Sequence, residues 1–273
     1  MPAGANRWVF RLAPMIPVIA AVGALALIPF GGVHDWFGHT VTFYGADLNV
    51  GVLVLLALSS LGFYGLILGG WSSGNKYSLL GAARNAAQMV SYEVAMGLSI
   101  VGVIMISQSL SLVDIANAQA QGVWYILFQP VAFVIFMIAA FAETNRTPFD
   151  LPMSEAELVA GFHTEYSAMT FGLFFLGEYA NMILLSALGA VLFLGGWMSP
   201  IPMAPFTWVP GVIWFALKIA FLLFVFSWTK GTLPRYRYDQ LMRLGWKVFL
   251  PVSLGWVVLT AAVLQFGGFV PGK

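Results

Sequence analysis

Seven stretches of this sequence are apolar over a length that crosses a membrane: approximately residues 12–30, 49–70, 80–106, 123–142, 166–196, 207–228 and 247–267. A helix needs about 20 residues to span the hydrocarbon layer, and a helix satisfies its own backbone there. Only 8% of the residues are charged and 60% are hydrophobic, against about 25% charged in soluble domains. A soluble protein this apolar could not cover its surface with polar groups. The expected fold class is an all-α polytopic membrane protein, a single membrane domain over 1–273 with about seven transmembrane helices. The first 30 residues have the ingredients of a signal peptide, with Arg7 and Arg11 before an apolar run and small residues at Ala24 and Ala26. That run continues to Pro29-Phe30 and more spans follow, so it is read as a span. The fifth run is long enough to be tilted or to project from the bilayer.

Charge is distributed by side. The connections Gly31–Leu48, Ser107–Gly122 and Trp197–Phe206 contain no Lys or Arg. The other side holds Arg7, Arg11, Lys76, Arg84, Arg146, Lys230, Arg235, Arg237, Arg243 and Lys247, ten of the 12 basic residues. By the positive-inside rule the N-terminus and the basic loops are cytoplasmic and the C-terminus is external. The stretch Trp36–Asn49, with Thr40, Thr42 and Tyr44 in alternation, is expected to form a short external hairpin. Without cysteine the chain has no disulfide, no thiol nucleophile and no cysteine-ligated iron–sulfur cluster. A net charge of +1 gives no reason to invoke nucleic acid. No internal repeat and no glycine-rich nucleotide loop is visible.

One polar island interrupts the apolar chain. Between Glu143 and Ser167 lie five of the 11 acidic residues, Glu143, Asp150, Glu155, Glu157 and Glu165, together with Arg146. Pro148 and Pro152 forbid a continuous helix through it. It must therefore leave the membrane or line a cavity, because unpaired backbone cannot face lipid. Ser154 and Glu157 have capping-box spacing, so a short helix is expected to start at Ser154. Glu155 and Glu157 would lie in its first turn, either as ordinary solvated carboxylates or as functional ones. His163 abuts the island and can hydrogen-bond a polar ligand, although a loop histidine is more often merely solvated. His34 and His39 are external and have no assigned role.

Four further ionisable positions lie at membrane depth. Glu93 is about 13 Å along its helix from Arg84, and Glu178 about 20 Å from Glu165, at 1.5 Å per residue. Glu143 closes the fourth apolar run, and Lys218 lies near the middle of the sixth. A charge at such depth costs about 3 kcal/mol on insertion scales, and its default reading is functional. The set is read as a proton path, with a Glu–Lys helix lock as the plainer alternative. Phe171, Phe174, Phe175 and Tyr179 on one helix are read mostly as lipid-facing or packing surface. The basic segment Lys230–Arg243 reads as an orientation signal, as lipid contact and as a docking surface.

Several motifs occur together in one order: Gly70-Trp71-Ser72-Ser73-Gly74-Asn75-Lys76-Tyr77, Gln88-Met89-Val90-Ser91-Tyr92-Glu93, Glu143-Thr144-Asn145-Arg146-Thr147-Pro148-Phe149-Asp150, Gly161-Phe162-His163-Thr164-Glu165-Tyr166-Ser167, Gly177-Glu178-Tyr179 and Pro234-Arg235-Tyr236-Arg237-Tyr238-Asp239-Gln240-Leu241-Met242. In these the chain resembles the quinone-site membrane subunit of respiratory complex I, the family of the NADH-quinone oxidoreductase H subunit and mitochondrial subunit 1. The resemblance runs from about residue 6 to residue 251. It implies an eight-span family fold in which cytoplasmic loops, here 143–167, build part of the quinone chamber. It also implies a carboxylate series through Glu155, Glu157, Glu165, Glu178, Glu143 and Glu93, with Arg146 and Asp150 in the same loop. Two departures stand out. The family's first span and interfacial helix precede the region where this chain begins, so seven spans are counted and a truncated start is expected. Met153 stands where the family loop has an acid.

The resemblance implies a subunit of a proton-translocating NADH:quinone oxidoreductase in a bacterial inner membrane, inactive alone. Quinone is the expected ligand. No metal or iron–sulfur cluster is expected on this chain, and NADH, flavin and iron–sulfur clusters are expected on partner subunits. The expected partners are a soluble iron–sulfur arm, small and antiporter-like membrane subunits, and lipid, with no nucleic acid. Two alternatives stay open at this point: the membrane anchor of a related energy-converting hydrogenase, and a free-standing ion-coupled transporter.

Overall fold

The structure, a computed structural model, describes residues 5–36, 39–120, 123–151, 159, 161–200 and 206–267. Helix α1 (Arg7–Leu12) is capped by Asn6, whose side chain accepts from the Trp8 amide, and α2 (Met15–Leu25) follows Pro14. Strands β1 (Val33–Trp36) and β2 (His39–Thr42) pair antiparallel with Val33 opposite Thr42. The expected hairpin is therefore present, starting a few residues earlier than the alternation suggested. Next come α3 (Gly51–Ser72), α4 (Lys76–Ser107), α5 (Leu112–Ala120), α6 (Tyr125–Phe128) and α7 (Pro130–Glu143). Helices α8 (Ala168–Phe193), α9 (Gly211–Thr232), α10 (Tyr238–Leu244) and α11 (Leu250–Gly267) complete the described chain, and a π turn at Gly245–Phe249 joins the last two.

Six helical stretches are long and apolar enough to cross a membrane: Arg7–Leu25, α3, α4, α8, α9 and Tyr238–Gly267. The chain is a polytopic helical membrane protein. The fourth expected span, 123–142, is not one continuous helix. It breaks at Gln129, and α7 proper has 14 residues. Pro130 has no amide to continue the ladder from α6, so it restarts a helix at its first position. The break is held inside the protein: Gln129 Nε2 donates to Thr260 Oγ1 at 3.0 Å, and the Trp256 indole donates to Gln129 Oε1. The fifth run ends earlier than expected, at Phe193, because Gly195 and Gly196 take left-handed φ values of 71° and 52°.

Helix α2 packs along α3 and α8, α4 along α7, α3 and α11, and α9 along α8. Glycines set the closest of these approaches. A Cβ at Gly65 would lie 2.4 Å from Pro17 Cδ and 2.7 Å from the Ala13 carbonyl. One at Gly81 would lie 2.8 Å from Gly161 Cα, so α4 touches the turn at Gly161–His163 backbone to backbone. Small residues at crossings are how membrane helices gain packing without a hydrophobic drive. The loops also sort by side. At the basic end Tyr236 N donates to Pro148 O at 3.1 Å and Arg235 meets Asp150 at 3.1 Å. At the opposite end Ser111 bonds Asp47, and the backbone of Val52 bonds Leu110.

Candidate functional site

The polar centre forms where α8 passes the two ends of the island. Glu178 lies ten residues into α8, about 15 Å along its axis at 1.5 Å per residue. It is 6% exposed, and neither carboxylate oxygen has a hydrogen-bond partner in the protein. His163 Nε2 stands 3.7 Å from Glu178 Oε1. His163 is 3% exposed and both its ring nitrogens are also without hydrogen bonds. Four phenylalanines enclose the imidazole: Phe162 at 3.9 Å between ring centroids, Phe174 at 5.2 Å, Phe171 at 5.3 Å and Phe175 stacked at 5.6 Å. Three of these rings come from the helix face that the sequence assigns to lipid or packing. His163 is thus a buried group, not a solvated loop histidine.

Glu143, the last residue of α7, is 7% exposed and accepts a short hydrogen bond from Ser59 of α3, while its Oε2 has no partner. Ser60, the next residue of α3, donates to Glu93 of α4. Glu143 and Glu178 line one cavity of about 40 Å³, together with Ser59, Asn181, Asn145 and the apolar walls of α2 and α3. A water requires on the order of 10–15 Å³ and two or more polar partners. The cavity is therefore large enough for a few waters between the two carboxylates. A buried carboxylate without partners is costly unless it is protonated or hydrated.

The island itself is clamped to α4. Gln88, wholly buried, donates to the carbonyls of Ala142 at 2.8 Å and Phe149 at 3.0 Å. Ser78 donates to Phe162 O at 3.3 Å. Asn145 is left-handed at φ 50°, which turns the chain off α7, and the Thr147–Pro148 peptide is cis. Arg146 lies over the Tyr179 ring at 4.3 Å, and its Nε and Nη2 are buried without hydrogen bonds. Asp150 bonds Arg235 at 3.1 Å but leaves Oδ1 without a partner. Burial raises the Asp150 pKa above the ordinary value of 3.8, the field of Glu178 adds to the rise, and Arg235 and Arg146 oppose it. Glu165 accepts from Asn75 Nδ2 at 2.9 Å, the same asparagine whose Oδ1 caps α4. Tyr166 donates to Phe10 O at 3.2 Å and stacks on the Phe10 ring, and burial raises its pKa.

The structure thus brings Glu178, His163, Arg146 and Asp150 to one region, and Glu143 and Glu93 to the serine pair of α3. Lys218 does not join them. Its ammonium donates to the carbonyls of Leu194, Gly196 and Met198 at 2.6, 2.8 and 2.7 Å and lies 4.5 Å from the Trp124 ring. It closes the end of α8 on the opposite side of the membrane domain. Glu155 and Glu157, the helix expected from Ser154, and Met153 lie outside the described residues. Sequence reasoning passed over Ser59, Ser60 and Asn181, and gave Gln88 no role beyond its place in a motif. Two adjacent serines inside an apolar run were the available signal, because hydroxyls at that depth need partners. Among the described residues no group of His, Asp and Glu side chains is arranged to hold a metal ion.

A broken, clamped loop leading to buried carboxylates inside a bundle of apolar helices defines a polytopic helical membrane protein, and comparison with known proteins gives the family. A family profile described as NADH dehydrogenase matches residues 1–261. The chain is 60% identical over 271 residues to the NADH-quinone oxidoreductase H subunit of Rhodospirillum rubrum, covering 99% of this chain and 78% of that protein. The corresponding H subunit of Rhodospirillum centenum is 59% identical over the same shares, and that of Pelagibacter ubique is 54% identical over 99% of this chain and 79% of its own length. The chain belongs to the NADH dehydrogenase family, as an H subunit of NADH-quinone oxidoreductase. It is therefore one component of an oxidoreductase complex, with the other components of that complex as its partners.

Proposed function

We propose that the chain forms part of the quinone chamber of a proton-translocating complex and couples quinone reduction to proton movement through its buried glutamates. The observation that carries this reading is the shared cavity: Glu143 from α7 and Glu178 from α8 face the same water-sized space, each with carboxylate oxygen left unpartnered. Glu93 extends the series through Ser60, next to the Ser59 that bonds Glu143. The loop 143–167 supplies the headgroup side. The free edge of the Arg146 guanidinium suits a quinone carbonyl oxygen, and His163 and Glu165 flank it in sequence. A quinone headgroup, when bound, takes up two electrons and two protons. The electrons reach it from iron–sulfur clusters on a neighbouring soluble subunit, where NADH and flavin also bind.

In this reading, a change of charge at the headgroup alters the field at Arg146 and Asp150. That field shifts the protonation of Glu178, and the cavity water carries the change to Glu143 and Glu93. Coupling requires that the loop interact differently with the oxidised and reduced ligand. The basic end of the bundle faces the cytoplasm, with the N-terminus there and the C-terminus outside, in a bacterial inner membrane. Glu155 and Glu157 contribute negative charge to the same loop. The test is quinone reductase activity of the assembled complex carrying Glu178→Gln. A loss of roughly ten-fold or more with normal assembly supports the reading, and wild-type turnover refutes it.

A further inference from the structure

Among the described residues of the island beyond Glu143, His163 is the titratable side chain that comes within ion-pair distance of a cavity carboxylate, Glu178. We propose that His163 is the proton relay that connects the island to the cavity, exchanging a proton directly with Glu178. The inference rests on the coupling reading above and assigns it a specific donor.

The chemistry follows from the pair. His163 Nε2 and Glu178 Oε1 stand 3.7 Å apart, within ion-pair distance and slightly beyond a hydrogen bond. Neither group is committed elsewhere, since both imidazole nitrogens and both carboxylate oxygens lack hydrogen bonds. Phenylalanine rings pack against the imidazole on several sides, which leaves the Glu178 carboxylate as the polar group facing Nε2. One proton moving within the pair leaves its net charge unchanged. In one state imidazole faces carboxylic acid; in the other, imidazolium faces carboxylate. In the forward step the Nε2–H bond of the imidazolium breaks and an O–H bond forms on the Glu178 carboxylate, leaving a neutral imidazole that keeps its proton on Nδ1. A ring with two free nitrogens can accept at one and release at the other.

The surroundings favour a relay over a static lock. His163 belongs to a three-residue turn seated on Gly81 of α4, and Glu178 belongs to α8. A small shift of that turn thus changes the separation of the pair. Charged groups of the loop and the cavity surround the pair. Arg146 stacks on Tyr179, the residue after Glu178; the field of Glu178 reaches Asp150; and Glu143 faces Glu178 across the cavity. Glu165 is held by Asn75.

The experiment uses the whole complex, reconstituted in vesicles, with His163→Gln, His163→Asn, Glu178→Gln and the His163→Gln/Glu178→Gln double variant. Gln and Asn keep a polar amide in the cage but cannot carry a proton. The expected result is normal assembly and normal NADH oxidation with an artificial acceptor. Quinone-dependent turnover should fall by at least ten-fold, with a larger rate ratio between H2O and D2O, and the double variant should be no slower than the slower single one. A packing defect alone would not raise the isotope ratio. Wild-type turnover and isotope ratio in both His163 variants, with Glu178→Gln impaired, would overturn the relay and leave the coupling reading standing. Wild-type behaviour of Glu178→Gln would overturn both. If the His163 variants do not assemble, infrared difference spectra of the wild-type complex with labelled histidine decide. Paired imidazole and carboxyl changes on quinone reduction are expected, and a carboxyl change without an imidazole change contradicts the relay.

Discussion

Ser59 of α3 donates its hydroxyl to the carboxylate of Glu143 at the end of α7, across 84 residues of sequence. This contact fixes one oxygen of Glu143 and leaves the other facing the cavity it shares with Glu178. Replacing Ser59 by Ala removes the only protein hydroxyl bonded to that buried carboxylate among the described residues. The loss of one such hydrogen bond to a buried group costs about 1–3 kcal/mol. Ser59→Ala is expected to lower the thermal midpoint of the complex and slow quinone-dependent proton movement, both read on purified, assembled enzyme. An unchanged rate and midpoint would show that the serine is incidental.

Gly81 sets how close α4 comes to the turn carrying His163. A Cβ there would meet Gly161 Cα at 2.8 Å, and backbone cannot swing aside as a side chain can. Overpacking of this kind costs about 1–3 kcal/mol. Gly81→Ala should displace the turn and reduce quinone reductase activity more than Gly97→Ala on the same helix, where an added Cβ meets nothing within 4 Å. Equal activity of the two variants would contradict the geometry.

Lys218 is predicted to act through structure and not through proton transfer. Its three carbonyl partners lie where α8 ends at Gly195 and Gly196. Lys218→Met leaves those carbonyls without a donor, at about 1–3 kcal/mol for each group left unsatisfied. The amount of assembled complex should fall, while the complex that does assemble moves the normal number of protons per NADH. Full assembly with lost pumping would return Lys218 to the proton path.

Asp150 provides a pH test. Its folded pKa is raised, chiefly by burial, so the ionised form is the one the fold disfavours. The sign follows by linkage: the folded state binds the proton more readily than the unfolded chain, so the penalty applies above the raised pKa and fades as pH falls toward 3.8. Asp150→Asn should therefore stabilise most at neutral pH and progressively less on acidification, partly offset by the lost contact with Arg235. Thermal midpoints of both forms across pH read this directly. A stabilisation that grows on acidification would have the wrong sign.

The spans were legible because apolar run length is a property of composition, and Glu143, Glu93 and Glu178 were legible because acids stand out in such runs. The partners of Lys218 were not, since backbone carbonyls leave no mark in a sequence and are exposed only where α8 stops. His163 was undervalued for a related reason: its cage is contributed by Phe171, Phe174 and Phe175, which look like an ordinary apolar helix face until the turn before them folds back. The break at Gln129-Pro130 was visible as a proline but was outweighed by the length of the run around it. Pro148 and Pro152 were legible as forbidding a continuous helix through the island, but they could not indicate that α7 would end at Glu143, with Asn145 turning the chain, or that Gln88 would hold the turn.

The central claim is that Glu143 and Glu178 act on one proton path through a shared cavity. Protons translocated per NADH by vesicles containing the complex with Glu143→Gln, Glu178→Gln or both test it most directly. The account predicts that each single variant lowers translocation strongly and that the double variant falls no further than the worse single one. Full translocation in either single variant, or independent losses that multiply in the double, would contradict it.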